Sequence, residues 1–117
     1  TWQAYRDPAG LVWSNVLAKA NRDGARIHCD YHNARLPTDD ELEQLARFLG
    51  KDTPKGYSPF QMDGKTEVLP GLSKGLVWSS TPSFLNHSFS QTLRGFDGAV
   101  TPNRAAWEEG VLCVSGR

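Results

Sequence analysis

The chain holds two cysteines, Cys29 and Cys113, 84 residues apart and far from the C-x-x-C spacing of zinc or dithiol redox sites. They read as a structural disulfide, with two buried free thiols in a reducing compartment as the alternative. Closing so long a loop removes roughly 4–5 kcal/mol of unfolded-state freedom in the chain-entropy model. Around the first cysteine, His28, Asp30 and His32 add ligand-type atoms, and histidines at i and i+4 on a helix can grip zinc. No general-base Glu lies between them, and a bridged Cys29 has no thiolate to offer. Solvated histidines are the plainer reading, and no metal or cofactor is expected.

The remaining chemistry is that of recognition. The chain lacks a Gly-x-Ser-x-Gly elbow, a phosphate loop and a dinucleotide fingerprint, so a binding role is expected and not an enzyme. Sugar recognition needs apolar contact on one face of an aromatic ring and directed hydrogen bonds at its edge. Trp107, preceded by Asn103 and Arg104 and followed by Glu108-Glu109, is the aromatic offered for that role, although a packing role is the first reading of it and stacking on a sugar the alternative. Arg94, Phe96, Asp97, Tyr57, Phe60 and His87 complete a ligand face drawn from the long central loop and the late hairpin. Trp13, Phe48 and Trp78 lie inside strand or helix patterns and belong to the core. Asn86-His87-Ser88 matches an N-glycosylation acceptor and is given no role.

The elements that must position these groups follow from local pattern. Residues 1–16 alternate around the turn signal Asp7-Pro8-Ala9-Gly10 and predict a hairpin. Asn21 or Asp23 caps a short helix through Ala25, Ile27, Cys29 and Tyr31. Thr38-Asp39-Asp40-Glu41 is a capping box, and Leu42, Leu45, Ala46 and Leu49 form one apolar stripe behind it, with Gly50 as a left-handed stop. Residues 51–75 carry enough Gly and Pro to predict an ordered loop without regular structure. Leu76 to Thr81 and Phe84 to Leu93 are strand-like, Arg94 to Val100 is a turn or bulge, and Thr101-Pro102-Asn103 is a turn containing proline. Val111-Leu112-Cys113-Val114 predicts a central strand pinned by its cysteine.

With 117 residues and 38% hydrophobic content, the chain suits a single domain, 1–117, that buries a modest core. Basic and acidic residues balance at 13 each, so no field concentrates nucleic acid. No apolar run is long enough to cross a bilayer, and no membrane insertion is expected. The opening Thr1-Trp2-Gln3 suggests the C-terminal part of a longer protein, with a leader and a stalk upstream.

Four motifs in order resemble the Lcl C-terminal domain family, bacterial modules with a C-type-lectin-like fold. They are Gly10-Leu11-Val12-Trp13; Cys29 with Ala34-Arg35-Leu36-Pro37-Thr38 and Glu41-Leu42; Val77-Trp78-Ser79-Ser80-Thr81; and Leu112-Cys113-Val114. Gly56-Tyr57-Ser58-Pro59 and Val68-Leu69-Pro70-Gly71-Leu72 look like a narrower, surface-protein branch of fibre-tip adhesins. The resemblance implies an α+β fold in which two short helices pack on a small, twisted, mainly antiparallel sheet with long loops. It also implies a Cys29–Cys113 disulfide, both termini on one side and a ligand-binding loop face opposite. By the same resemblance the module is secreted or displayed on a bacterial envelope, binds a glycan or other polymer of another cell, and forms a homotrimer through its stalk. Calcium-dependent lectins of the wider fold use Glu or Gln, then Pro, then Asn or Asp; Thr101-Pro102-Asn103 matches only in part, so no calcium site is assigned.

Two rival functions remain. One is a structural head or trimerisation cap whose Phe84, Leu85, Phe89 and Phe96 meet neighbouring subunits. The other is a divergent enzyme of the formylglycine-generating kind, which requires Cys113 as a free thiol.

Overall fold

The predicted first turn is built around one carboxylate. Asp7 is only 4% exposed; its Oδ1 accepts the amides of Ala9 (2.9 Å) and Leu11 (3.0 Å), and its Oδ2 accepts the indole N–H of Trp13 (2.9 Å). Gly10 takes a φ of 93°, a backbone conformation open to glycine, and completes the reversal. The hairpin consists of β1 (Tyr5–Arg6) and β2 (Val12–Trp13), with Tyr5 opposite Trp13. This is a computed structural model, and it describes residues 5–50, 61–62, 66–67, 72, 75–83 and 88–116.

After β3 (Ala18–Ala20), the Asn21 side chain accepts the amide of Gly24 at 2.8 Å and starts α1 (Arg22–Tyr31). Of the two predicted caps, Asn21 is the one used. Ala25 and Cys29, four residues apart, form the buried face of α1. Ile27 and Tyr31 were grouped with them in the sequence pattern but are 62% and 84% exposed, because residues two apart on a helix do not share a face.

The capping box forms as predicted: the Glu41 amide donates to Thr38 Oγ1 (3.2 Å), and the Thr38 amide donates to Glu41 Oε1 (2.9 Å). Helix α2 (Asp39–Leu49) then buries Leu42 and Leu45 fully and Ala46 and Leu49 partly. Gly50 is not left-handed. Its φ is −91° and its amide donates to the Ala46 carbonyl at 2.8 Å, so α2 ends on one more right-handed helical bond.

Within the stretch expected to lack regular structure, β4 (Gln61–Met62) and β5 (Thr66–Glu67) pair antiparallel. The Gly and Pro content that rules out long strands leaves room for a two-residue ladder. Five strands follow: β6 (Leu76–Pro82), β7 (Phe89–Arg94), β8 (Val100–Arg104), β9 (Glu109–Val111) and β10 (Val114–Ser115). The main sheet has the order β3-β9-β6-β7-β8 and is antiparallel except at β6 and β9; the smaller one runs β1-β2-β10. The expected α+β architecture of two helices on a mainly antiparallel sheet is therefore present.

The segment read as one central strand, Val111 to Val114, is divided between the two sheets. Ser14 causes the break: its amide donates to the Cys113 carbonyl and its hydroxyl accepts the Cys113 amide, both at 2.9 Å, while the Arg35 and Val114 amides and carbonyls bond reciprocally. Successive side chains of an extended segment point to opposite faces, and the core divides accordingly. Val77, Leu112 and Val114 join Leu42 and Leu45 of α2; Trp78, Val111 and Cys113 join Ala25 and Cys29 of α1. Each helix thus covers a separate cluster. Trp13 and Trp78 are fully buried, as expected for core aromatics, whereas Phe48 is only partly buried and stands outside both clusters.

Cys29 and Cys113 form a disulfide with their Cα atoms 5.4 Å apart, and no free cysteine remains. The free-thiol alternative is thereby set aside. Replacing both cysteines by alanine is expected to lower the unfolding free energy by up to about 4–5 kcal/mol, read as a fall in the urea midpoint. A second expectation concerns acid. Both Arg35 guanidinium Nη atoms donate to Glu41 at 2.7 Å and hold its carboxyl below the usual carboxylate range; burial opposes this, and the Thr38 amide assists. A depressed carboxyl contributes stability that is complete at neutral pH and is lost as pH falls below the ordinary value of about 4.3. Urea midpoints measured down the acid limb should therefore fall less steeply in Glu41→Gln than in the parent chain, while Glu43→Gln, on the exposed side of α2, should track the parent.

Candidate ligand-binding face at the β8–β9 turn

Strands β7 and β8 pair without interruption from Phe89 opposite Arg104 to Leu93 opposite Val100. That register separates the predicted site residues into two groups. Arg94, Phe96 and Asp97 lie at the tip of the hairpin; Asn103, Arg104 and Trp107 lie at its other end, roughly 13 Å away at the usual strand rise. Tyr57, Phe60 and His87 lie outside the described residues.

The hairpin tip is occupied with its own contacts. Arg94 donates to both Asp97 oxygens (3.1 and 2.8 Å), Asp97 Oδ1 also accepts the Ala99 amide (3.0 Å), and the Arg94 guanidinium lies 4.9 Å from the centre of the Phe96 ring. The hydrogen bonds from Arg94 hold the Asp97 carboxyl below its ordinary range. The turn needs glycine at position 95, because a Cβ there would stand 1.7 Å from the Leu72 carbonyl oxygen. Phe96 is 61% exposed.

The opposite end brings Arg104 and Trp107 together. The Arg104 guanidinium lies 5.1 Å from the Phe89 ring centre and 6.0 Å from that of Trp107, so it sits among two aromatic rings. It makes no ion pair among the described residues. Trp107 is 56% exposed and stands outside both core clusters, which corrects the packing reading. Its amide donates to the Arg104 carbonyl at 3.0 Å, closing a tight turn that places ring and guanidinium side by side.

Three links hold that turn in place. Asn103, only 8% exposed, donates from Nδ2 to Glu109 Oε2 at 2.5 Å; it positions the turn and presents little surface to a ligand. The Ala105 amide donates to the Ser88 carbonyl (2.9 Å), and the Arg22 amide at the start of α1 donates to the Ala105 carbonyl (3.0 Å). Between these elements lies a shallow cleft of about 350 Å³ lined by Asn21, Arg22, Asp23, Ser88, Ala105 and Ala106.

Thr101-Pro102-Asn103 is part of β8 and not a turn. An edge strand tolerates proline because one side of it needs no donors, and β8 is the outermost strand of the main sheet. Among the described residues no group of His, Cys, Asp and Glu could hold a metal ion. Phe89 and Arg22 are the neighbours that the site residues predicted from sequence did not include. The position of Phe89 follows only from the register of β7 against β8.

The architecture is that of a C-type-lectin-like domain. Among solved structures, the chain is similar to the mouse CD72a C-type-lectin-like domain, with a TM-score of 0.55 and 11% identity over 97% of this chain and 89% of that one. No family model matches the sequence, and a search among curated proteins finds no match. Because Cys113 is bridged, the thiol that the formylglycine-generating reading requires is not available.

Asn103→Ala is expected to cost about 1–3 kcal/mol of stability by removing the buried amide from Glu109, read from the denaturant midpoint. It should also raise the susceptibility of the indole fluorescence to acrylamide as the turn carrying Trp107 loosens.

Proposed function

We propose that this domain is an extracellular binding module that recognises a glycan or another cell-surface polymer, without turnover, through the turn joining β8 and β9. The observation that carries the reading is Trp107, 56% exposed beside an Arg104 guanidinium that no carboxylate neutralises among the described residues. An open indole face supplies apolar contact to a sugar ring, and the guanidinium supplies directed donors at its edge. The cross-chain disulfide fits an oxidising compartment, and no helix among the described residues is long and apolar enough to cross a membrane. With the motif resemblance to the Lcl C-terminal family, these features support a bacterial fibre-tip adhesin that works as a trimer on an upstream stalk.

The second reading, a structural head or trimerisation cap, draws on Phe96, 61% exposed at the hairpin tip away from the Trp107 turn. Phe89, also expected on that contact surface, is half-buried and lies near the Arg104 guanidinium; Phe84 and Leu85 lie outside the described residues. A glycan and polysaccharide array probed with the domain on a trimerising stalk separates the two, since avidity reveals weak single sites. The binding reading expects a reproducible hit that Trp107→Ala and Arg104→Ala each weaken by about tenfold or more. A hit indifferent to both substitutions would move the ligand face elsewhere. A blank array alongside a native trimer that Phe96→Ser dissociates would establish the structural head.

A further inference from the structure

Alongside α1 runs a second cleft, of about 420 Å³, whose walls include Arg22, Arg26, Ile27, Asp30, Arg35 and Leu36. Its volume falls within the range of small-molecule sites. The apolar part is a nearly buried Leu36 (3% exposed) together with Ile27, a large aliphatic side chain left 62% exposed. The same lining holds three arginines against one carboxylate, Asp30. The Arg22 partner, Asp23, and the Arg35 partner, Glu41, both lie outside the lining. Arg26 makes no ion pair among the described residues.

The walls are fixed in place. Arg35 is held by the capping box through Glu41, and the Ser80 amide donates to the Pro37 carbonyl at 2.7 Å, tying the segment that carries Leu36 to β6. The disulfide holds the inner face of α1, so its outer face cannot turn inward to cover Ile27.

We propose that this cleft is a second binding site, for a small carboxylate carried on an apolar body, separate from the Trp107 turn. The carboxylate meets Arg26, whose planar guanidinium matches two carboxylate oxygens at once, with Arg22 beside it. The apolar body lies on Ile27 and Leu36, removing exposed aliphatic surface from water. Asp30, one helical turn along α1 from Arg26, disfavours a ligand with a second negative charge. The inference does not depend on the polymer-binding reading, because neither Trp107 nor Arg104 lines the cleft.

The test is a nuclear magnetic resonance titration of the isotope-labelled, disulfide-intact domain with three ligands that share one tail: decanoate, decyltrimethylammonium and decyl maltoside, all below micelle formation. Saturable shifts with decanoate at residues 22–38 and at Ser80, at least about tenfold tighter than with the other two, are expected. Arg26→Gln and Ile27→Ser change exposed positions and should each weaken decanoate about tenfold, while Trp107→Ala should leave it unchanged. Equal responses to the three head groups, shifts centred on the β8–β9 turn, or no saturable response to decanoate would each overturn the proposal. None of those outcomes alters the array result, so the two readings fail separately.

Discussion

The main sheet, the smaller β1-β2-β10 sheet and the clusters under both helices meet at Leu112 and Cys113. On one side of them the chain is a strand of the main sheet, and on the other a strand of the smaller sheet. Leu112 faces the cluster under α2 and Cys113 faces the cluster under α1, where its sulfur is bonded to the helix. Ser14 holds the step between the sheets, and Arg35 pairs with the next residue. One short segment therefore sets the distance between both sheets and both helices. Among the described residues neither cluster is large, and the covalent link between Cys113 and the first helix adds to the hold that their packing provides.

The local signals were legible in the sequence wherever a short-range rule decides the outcome. The capping box at Thr38 and Glu41, the Asp7 turn and the Asn21 cap each depend on atoms within a few residues. The C-type-lectin-like architecture was legible from the order of the motifs, and the structural likeness to a solved domain of that class agrees. What escaped was long-range. An apolar run such as Val111 to Val114 looks the same whether it is one strand or two halves of two, and only Ser14, ninety-nine residues away from Cys113, decides it. Pro102 has the composition of a turn, yet its place at the sheet edge allows it to lie in a strand. Gly50 has the freedom to turn left-handed, but the last helical bond to Ala46 does not require it.

The candidate site follows the same division. Residue type singled out Trp107 and Arg104, and the structure places them together. Type alone also enrolled Arg94, Phe96 and Asp97, which the strand register carries to the other end of the hairpin. Asn103 has a recognition-type side chain that is used internally, as the fastening of the turn to Glu109. The outer face of α1 was open to inference from helical spacing: once Cys29 and Ala25 point inward, Ile27 must point outward.

The edges of the main sheet bear on how copies of the domain can associate. Its two outermost strands are β3 and β8. At the centre of β3 stands the exposed Lys19, and at the centre of β8 stands Pro102, which has no amide proton to give. A bare strand edge is a template on which a neighbouring copy can extend the sheet, and a central cation or a missing donor is how natural proteins prevent this. The described edges of the main sheet therefore offer a neighbouring copy no ready template for stitching into a continuous sheet.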